Sequence, residues 1–202
     1  MDHLNYLVKQ LNLLIGFLEV SEENIYDLIK THDSFGFGFS IESSYENEYE
    51  NYKNHVTTSA FILGFAHFED FISKSLIELL IFNPTLNKYK IPFKTFEEKG
   101  NEIINFIAIE QTKRLTFTDK IKFIEENISD LDQEIIADLR LANIIRNCLL
   151  HNNGIAAEKI GDKFQKGERI KLSSAEVNAY GLKARYFASD LWEKLNSLIK
   201  IH

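Results

Sequence analysis

A chain of 202 residues, 45% of them hydrophobic, is long enough for one substantial core with at most an appended hairpin. Its formal charge of −7 argues against the broad basic face that duplex nucleic-acid binders display, though not against a small cleft for one or two phosphates. The single cysteine, Cys148, excludes an internal disulfide and any multi-cysteine metal site, and makes the cytoplasm the natural compartment.

Two prolines against 16 phenylalanines, with charged-apolar alternation at helical spacing, predict an all-α fold. The expected architecture is an up-and-down bundle of long helices, with a short loop or hairpin inserted before the C-terminal helix, forming one domain over 1–202. Met1-Asp2-His3 lacks the basic start of a secretory signal, and Leu11 to Val20 is too short to span a bilayer. The apolar run from Ala60 to Phe68 is broken by His67 and followed by Glu69 and Asp70, so no membrane association is expected.

In chain order, residues 3–31 read as helix, in one piece or two. Leu4, Leu7, Leu11, Leu14 and Leu18 form one stripe, and Ser21-Glu22-Glu23-Asn24 has the form of a capping box that would start a second helix. From Thr31 to about Ser44, the alternation Phe35-Gly36-Phe37-Gly38-Phe39-Ser40 suits a loop or short extended piece rather than a helix. Its aromatics either cover the bundle or a partner subunit, or form a base-stacking platform. The lack of basic residues nearby favours the first.

One long helix is expected from about Tyr45 to Phe82, with Phe61, Phe65, Phe68, Ile72, Leu76 and Leu79 as its apolar stripe and Asn83-Pro84 as its end. With Phe65 at zero on a helical wheel, Glu69 falls at about +40°, on the stripe's edge, and His67 lies opposite as a surface histidine. Residues 84–95 form a connection whose Lys88, Lys90 and Lys94 make a solvated basic patch. A helix follows from about Phe96 to Thr112 with Ile103, Phe106, Ile107 and Glu110 near one face. Thr116-Phe117-Thr118-Asp119 caps a shorter helix to about Asn127, and Ser129-Asp130 caps the next. Lys159 to Leu172, punctuated by glycine, reads as a loop or small hairpin. Ser173-Ser174-Ala175-Glu176 is a capping box for a final helix over about 174–200, with Val177, Tyr180, Leu191, Leu195 and Leu198 inward.

The residues that carry chemistry fall on the helix opened by Ser129-Asp130. Leu131, Ile135, Leu139, Ala142, Ile145 and Leu149 recur at helical spacing, and Asn152-Asn153-Gly154 supplies a C-terminal stop. With Leu139 at zero, Leu150 lies at about +20° and Arg146 at about −20°, inside the apolar stripe. Asn147 and His151 flank it at about +80° and +120°, and Cys148 lies at about 180°, either exposed or against a second packed face. A guanidinium cannot be deprotonated, so at a core-facing position it must meet an anion or a set of acceptors. That anion is either an internal carboxylate, with Glu69 the candidate, or a phosphate held between Arg146 and His151 with Asn147 as a further polar contact.

The run Arg146-Asn147-Cys148-Leu149-Leu150-His151, followed by Asn152-Asn153-Gly154, resembles the signature of the HEPN superfamily (higher eukaryotes and prokaryotes nucleotide-binding domains). That signature is an arginine followed four to six residues later by a histidine, commonly with a polar residue directly after the arginine. Phe65-Ala66-His67-Phe68-Glu69-Asp70-Phe71-Ile72 is similar to the aromatic-Glu helix that precedes the motif helix in many members. The resemblance implies an endoribonuclease in which Arg146, Asn147 and His151 are the catalytic residues, with RNA as substrate and no cofactor. It also implies a homodimer that brings two motif copies to one cleft. Toxin or anti-phage defence roles, often under an antitoxin or other regulatory protein, belong to the same implication.

The residues suit that chemistry: a permanent cation stabilises charge on phosphorus, and a group titrating near neutrality moves the proton of an attacking 2′-OH. The alternative is a HEPN-like bundle that dimerises or binds a nucleotide without catalysis. A metal site at His151 has no second histidine at ligand spacing, and no glycine-rich phosphate loop, metalloprotease motif, nucleophile elbow or internal repeat is present.

Overall fold

Among the described residues, apolar stripes at helical spacing produce six named α-helices, and the longest of these becomes the axis on which the others pack. The computed structural model describes the backbone of residues 2–33, 42–88, 90, 95 and 102–200, and the side chains of residues 3–21, 50–88, 90, 95 and 102–200. Helices α1 (Asp2–Asp33), α2 (Glu42–Phe82), α3 (Ile103–Arg114), α4 (Phe117–Asn127), α5 (Gln133–His151) and α6 (Ser174–Lys200) follow in order, with a 3-10 turn at Pro84–Leu86. The protein is an all-α bundle. α2 packs against each of the other five helices, and α6 packs in turn against α1 and α5.

The expected stripe of α2 is the spine of the core. Phe61, Phe65, Phe68, Ile72, Leu76 and Leu79 are all buried, and Phe68 meets the rings of Phe65, Phe117 and Phe187 at centroid separations of 6.3, 6.0 and 6.1 Å. On α1, Leu7, Leu11 and Leu18 are buried, with Leu4 and Leu14 packed at the margin. α1 runs antiparallel to α2: the Tyr6 ring touches His67, whereas Leu11 and Leu14 lie beside Gly64. Pro84, with its fixed φ and missing N–H, opens the 3-10 turn after Asn83 ends α2. Among the described residues no helix is long and apolar enough to cross a membrane.

Several expectations are corrected in detail. α1 passes through Ser21-Glu22-Glu23-Asn24 as one helix, so the capping-box pattern there starts nothing; the preceding residues already supply the turn that a cap would otherwise complete. Thr31–Asp33 and Glu42–Ser44 are helical rather than loop, and the Phe35–Ser40 stretch lies outside the described residues, as does Lys94. α3 is described from Ile103, residues 96–101 of the expected helix being outside the described set. Its buried positions are Ala108, Gln111 and Thr112, while Ile103, Phe106, Ile107 and Glu110 are half-buried. The Gln111 Oε1 accepts the Lys88 amide at 2.6 Å, which draws that face inward. His67 is half-buried against Tyr6 rather than a plain surface residue, and Leu198, in the last turn of α6, is 37% exposed.

The capping reading holds at α4, where the Thr116 and Asp119 side chains satisfy each other's backbone amides, and at α6, where Ser173 and Glu176 do the same. Residues 152–173 form no named strand. Antiparallel bridges at Ile155–Arg169 and Ile160–Phe164 fold the segment back on itself, and Ala156, Ile160, Phe164, Ile170 and Leu172 bury it against the bundle.

Candidate functional site

The motif helix is capped by Asp132, not by Ser129-Asp130. The Asp132 Oδ1 accepts from the amides of Glu134 and Ile135 at 2.9 and 3.1 Å, satisfying two donors that the first helical turn leaves open. Asp130 instead holds a left-handed φ of 62°, which turns the chain into the helix two residues later than the serine-aspartate pattern suggests. Leu131 is buried ahead of the first turn.

At the other end, Asn153 and Gly154 take φ of 52° and 72°, and the amides of Asn152 and Gly154 both donate to the Cys148 carbonyl at 3.0 and 3.1 Å. The chain then turns back, and Ile170 donates to the Gly154 carbonyl at 2.7 Å. This returning segment changes which side of α5 is covered. Along the middle of the helix Ile136, Leu139, Ala142 and Asn143 are buried, but in its last turns the buried residues are Ile145 and Cys148. Cys148 therefore sits against a second packed face. Leu150, expected in the stripe, is 43% exposed, and Arg146 is left at the stripe's rim rather than inside it.

The Arg146 guanidinium lies 5.8 Å over the Phe65 ring, with its side chain 25% exposed. Its Nη1 donates to Asn147 Oδ1 at 3.1 Å, and its Nη2 stands 3.6 Å from Glu69 Oε2, an ion pair longer than a hydrogen bond. The Arg146 Nε is buried and has no hydrogen-bond partner. Of five N–H donors, one hydrogen bond to a neutral amide is made.

Glu69 is shared. Its other oxygen lies 3.4 Å from Lys120 Nζ, which also donates to Ser73 Oγ at 3.0 Å; the Lys120 side chain is only 10% exposed. The Ser73 hydroxyl in turn donates to the Glu69 carbonyl one turn earlier on α2, at 2.8 Å. Three helices thus converge on one carboxylate: α2 supplies Glu69 and Ser73, α4 supplies Lys120, and α5 supplies Arg146. A guanidinium and an ammonium thus face a single carboxylate, a setting suited to an incoming oxyanion.

Of the sequence-predicted residues, Arg146 and Asn147 are joined directly and Glu69 completes the pair. His151, the last residue of α5, is exposed, and no contact joins its ring to Arg146 within the protomer. Residues five apart on a helix diverge by about 140°, so both reach one ligand only across a groove. Lys120 and Ser73 were not anticipated. The signal for Lys120 was present: Phe117, Ile121 and Ile124 form the buried face of α4, and a lysine three residues after Phe117 falls inside it. Among the described residues, no group of three or more His, Cys, Asp or Glu side chains is placed to hold a metal ion.

Comparison of the chain with protein-family models, with curated proteins and with solved structures gives no match. The functional reading therefore rests on the residues and their geometry.

Proposed function

We propose that the chain is a metal-independent endoribonuclease of the HEPN type that cuts RNA in a cleft where the motif helices of two copies meet. The observation that carries this reading is the under-coordinated Arg146: a guanidinium at a solvent-reaching rim, with donors to spare and a counter-ion divided with Lys120. In the reaction, the ribose 2′-oxygen bonds to the adjacent phosphorus while the bond from phosphorus to the 5′-oxygen breaks. His151 takes the 2′-hydroxyl proton as base, its counterpart from the second copy gives a proton to the leaving 5′-oxygen, and Arg146 neutralises charge on the phosphorane. Asn147 holds the guanidinium plane through its Oδ1. The products are a 2′,3′-cyclic phosphate and a 5′-hydroxyl. A toxin or defence role in the cytoplasm, restrained by an antitoxin or other regulatory protein, fits an enzyme of this kind.

The Arg146–Glu69 pair favours one competing reading, a non-catalytic helical module that dimerises or binds a nucleotide. Incubating the protein with RNA in EDTA, beside Arg146→Ala and His151→Ala, separates the two. Cleavage by the wild type, lost in both variants while their helical circular dichroism is kept, supports the nuclease. An inert wild type, with Arg146→Ala unfolding at lower temperature, supports the structural pair.

A further inference from the structure

Between α1, α2, α5 and α6 the core leaves a cavity of about 40 Å³ whose lining holds a single polar side-chain group, the Tyr180 hydroxyl. Leu11, Phe61, Phe65, Leu139 and Ala184 close its depth and are buried. Leu14 and Ile15 of α1, and Tyr180 and Gly181 of α6, are only half-buried, so the cavity opens to solvent between those two helices. Two lining positions are glycines inside helices, Gly64 on α2 and Gly181 on α6. Glycine there is less favourable than alanine, because its backbone loses more freedom on folding. Neither glycine is imposed from within the protomer. Neither takes a left-handed φ. A Cβ added at Gly181 would meet nothing within 4 Å, and one at Gly64 would meet Leu14 and Leu11 at 3.5 and 3.6 Å, ordinary van der Waals distances. A methyl at either position would strengthen its helix and fill part of the void. Both positions instead keep the void open, from two walls of the same cavity.

Size and polarity define the occupant. A buried water needs several polar partners, and one hydroxyl does not supply them. An aromatic ring needs roughly 150 Å³. The cavity has room for about three water-sized groups, the bulk of an unbranched alkyl end. The mouth adds a charge. Lys163 Nζ lies 5.2 Å from the centroid of the Tyr180 ring, which also meets Phe61 at 5.5 Å. An ammonium carries three donors, and Lys163 places one on Glu176 Oε1 at 3.0 Å, so it can share itself with a second carboxylate. We propose that the cavity takes the end of a short straight-chain fatty acid, with the carboxylate at the mouth beside the Tyr180 hydroxyl and the Lys163 ammonium. Arg146, Lys120 and Glu69 do not line the cavity, so the site is separate from the one assigned to RNA.

Thermal unfolding of the full chain, followed by circular dichroism without RNA and at constant ionic strength, tests the proposal. Hexanoate at ten times its Kd is expected to raise the Tm by roughly 3–6 °C, and benzoate at the same concentration to leave it unmoved. Hexanol should bind several-fold more weakly than hexanoate, and Lys163→Met should bring hexanoate down to the level of hexanol. Gly181→Ala should raise the Tm of the ligand-free protein by roughly 2–4 °C. It should also weaken hexanoate about tenfold or more, since the methyl takes the place of the chain. Gly64→Ala, on the α2 wall, should act in the same direction. A wild type whose Tm hexanoate does not move at any soluble concentration overturns the proposal. So does a Gly181→Ala protein that is less stable than the wild type or that responds to hexanoate as the wild type does. A benzoate shift equal to that of hexanoate overturns the alkyl assignment, and equal affinity for hexanol overturns the carboxylate. RNA cleavage is read separately, so failure here and failure of the nuclease reading are distinguishable.

Discussion

Replacing Glu69 by glutamine tests how the cationic cluster is held. Its carboxylate is the counter-charge of Arg146 at 3.6 Å and of Lys120 at 3.4 Å. The side chains involved are 25%, 26% and 10% exposed, which places the pairings between two regimes. An exposed ion pair contributes at most about 1 kcal/mol, whereas breaking a buried one costs about 3–5 kcal/mol. Glutamine keeps the shape and one acceptor oxygen for Lys120, so the expected loss is about 1–3 kcal/mol, a fall in Tm of roughly 3–10 °C for a chain of this length. A second effect is more specific. Without the internal anion, Arg146 and Lys120 recruit one from solution, and inorganic phosphate raises the Tm of Glu69→Gln while moving the wild type little, at constant ionic strength. Thermal unfolding followed by circular dichroism reads both effects. A variant as stable as the wild type, or one that phosphate stabilises no more than the wild type, refutes the view that Glu69 occupies the place of a phosphate.

Adding Lys120→Met to Glu69→Gln should remove most of the phosphate response in the same melting assay, because one of the two cations is gone while the apolar stem stays packed. Asp132→Ala should cost about 1 kcal/mol by loss of the α5 cap, seen as a lower urea midpoint at unchanged slope. Gly154→Ala should cost about 1–2 kcal/mol through its φ of 72° alone, since the added methyl meets only Leu149 at 3.7 Å; Gly154→Asn should cost less in the same denaturation curve. Burial works against the Glu176 charge, but hydrogen bonds from the Ser173 backbone and from Lys163 outweigh it and hold the carboxyl below the usual glutamate range. Its folded pKa is depressed, so its contribution is present above the unfolded value and is lost as pH falls through the folded one. The Tm gap between wild type and Glu176→Gln should be widest near neutrality and close in acid.

The fold was largely legible because each long stripe has one physical meaning. Phe61 through Leu79 at helical spacing can only be buried against other helices, and α2 is the result. Legibility fell where two local signals competed. Ser21-Glu22-Glu23-Asn24 carries the residues of a cap, yet a helix already propagating gains more by continuing than by stopping to be capped again. Ser129-Asp130 and Asp132 all offer a side-chain oxygen, and only the backbone at Asp130, with φ of 62°, decides which is used. A wheel centred on mid-helix put Leu150 in the stripe and left Cys148 open between solvent and a second packed face; in the last turns of α5 the buried residues are Ile145 and Cys148, and Gly161 of the returning segment lies against Leu141 of the same helix. That contact joins residues distant in sequence, so no window of spacing reveals it.

The same shift of the buried side accounts for the site. A wheel put Arg146 among hydrophobes and Glu69 beside it, and the two do pair. Lys120 escaped because a lysine stem passes for apolar cover and its ammonium can in principle lose its proton, so it did not raise the alarm that a guanidinium does. Two cations sharing one carboxylate would carry an uncompensated charge if sealed in the core, at a cost of several kcal/mol. The arrangement is stable only while one of them reaches water, and it is Arg146, at 25% exposure against 10% for Lys120, that does so. An opening beside the guanidinium is therefore a condition of folding here as well as a route for an anion. A sealed site with these three charges could not fold as well.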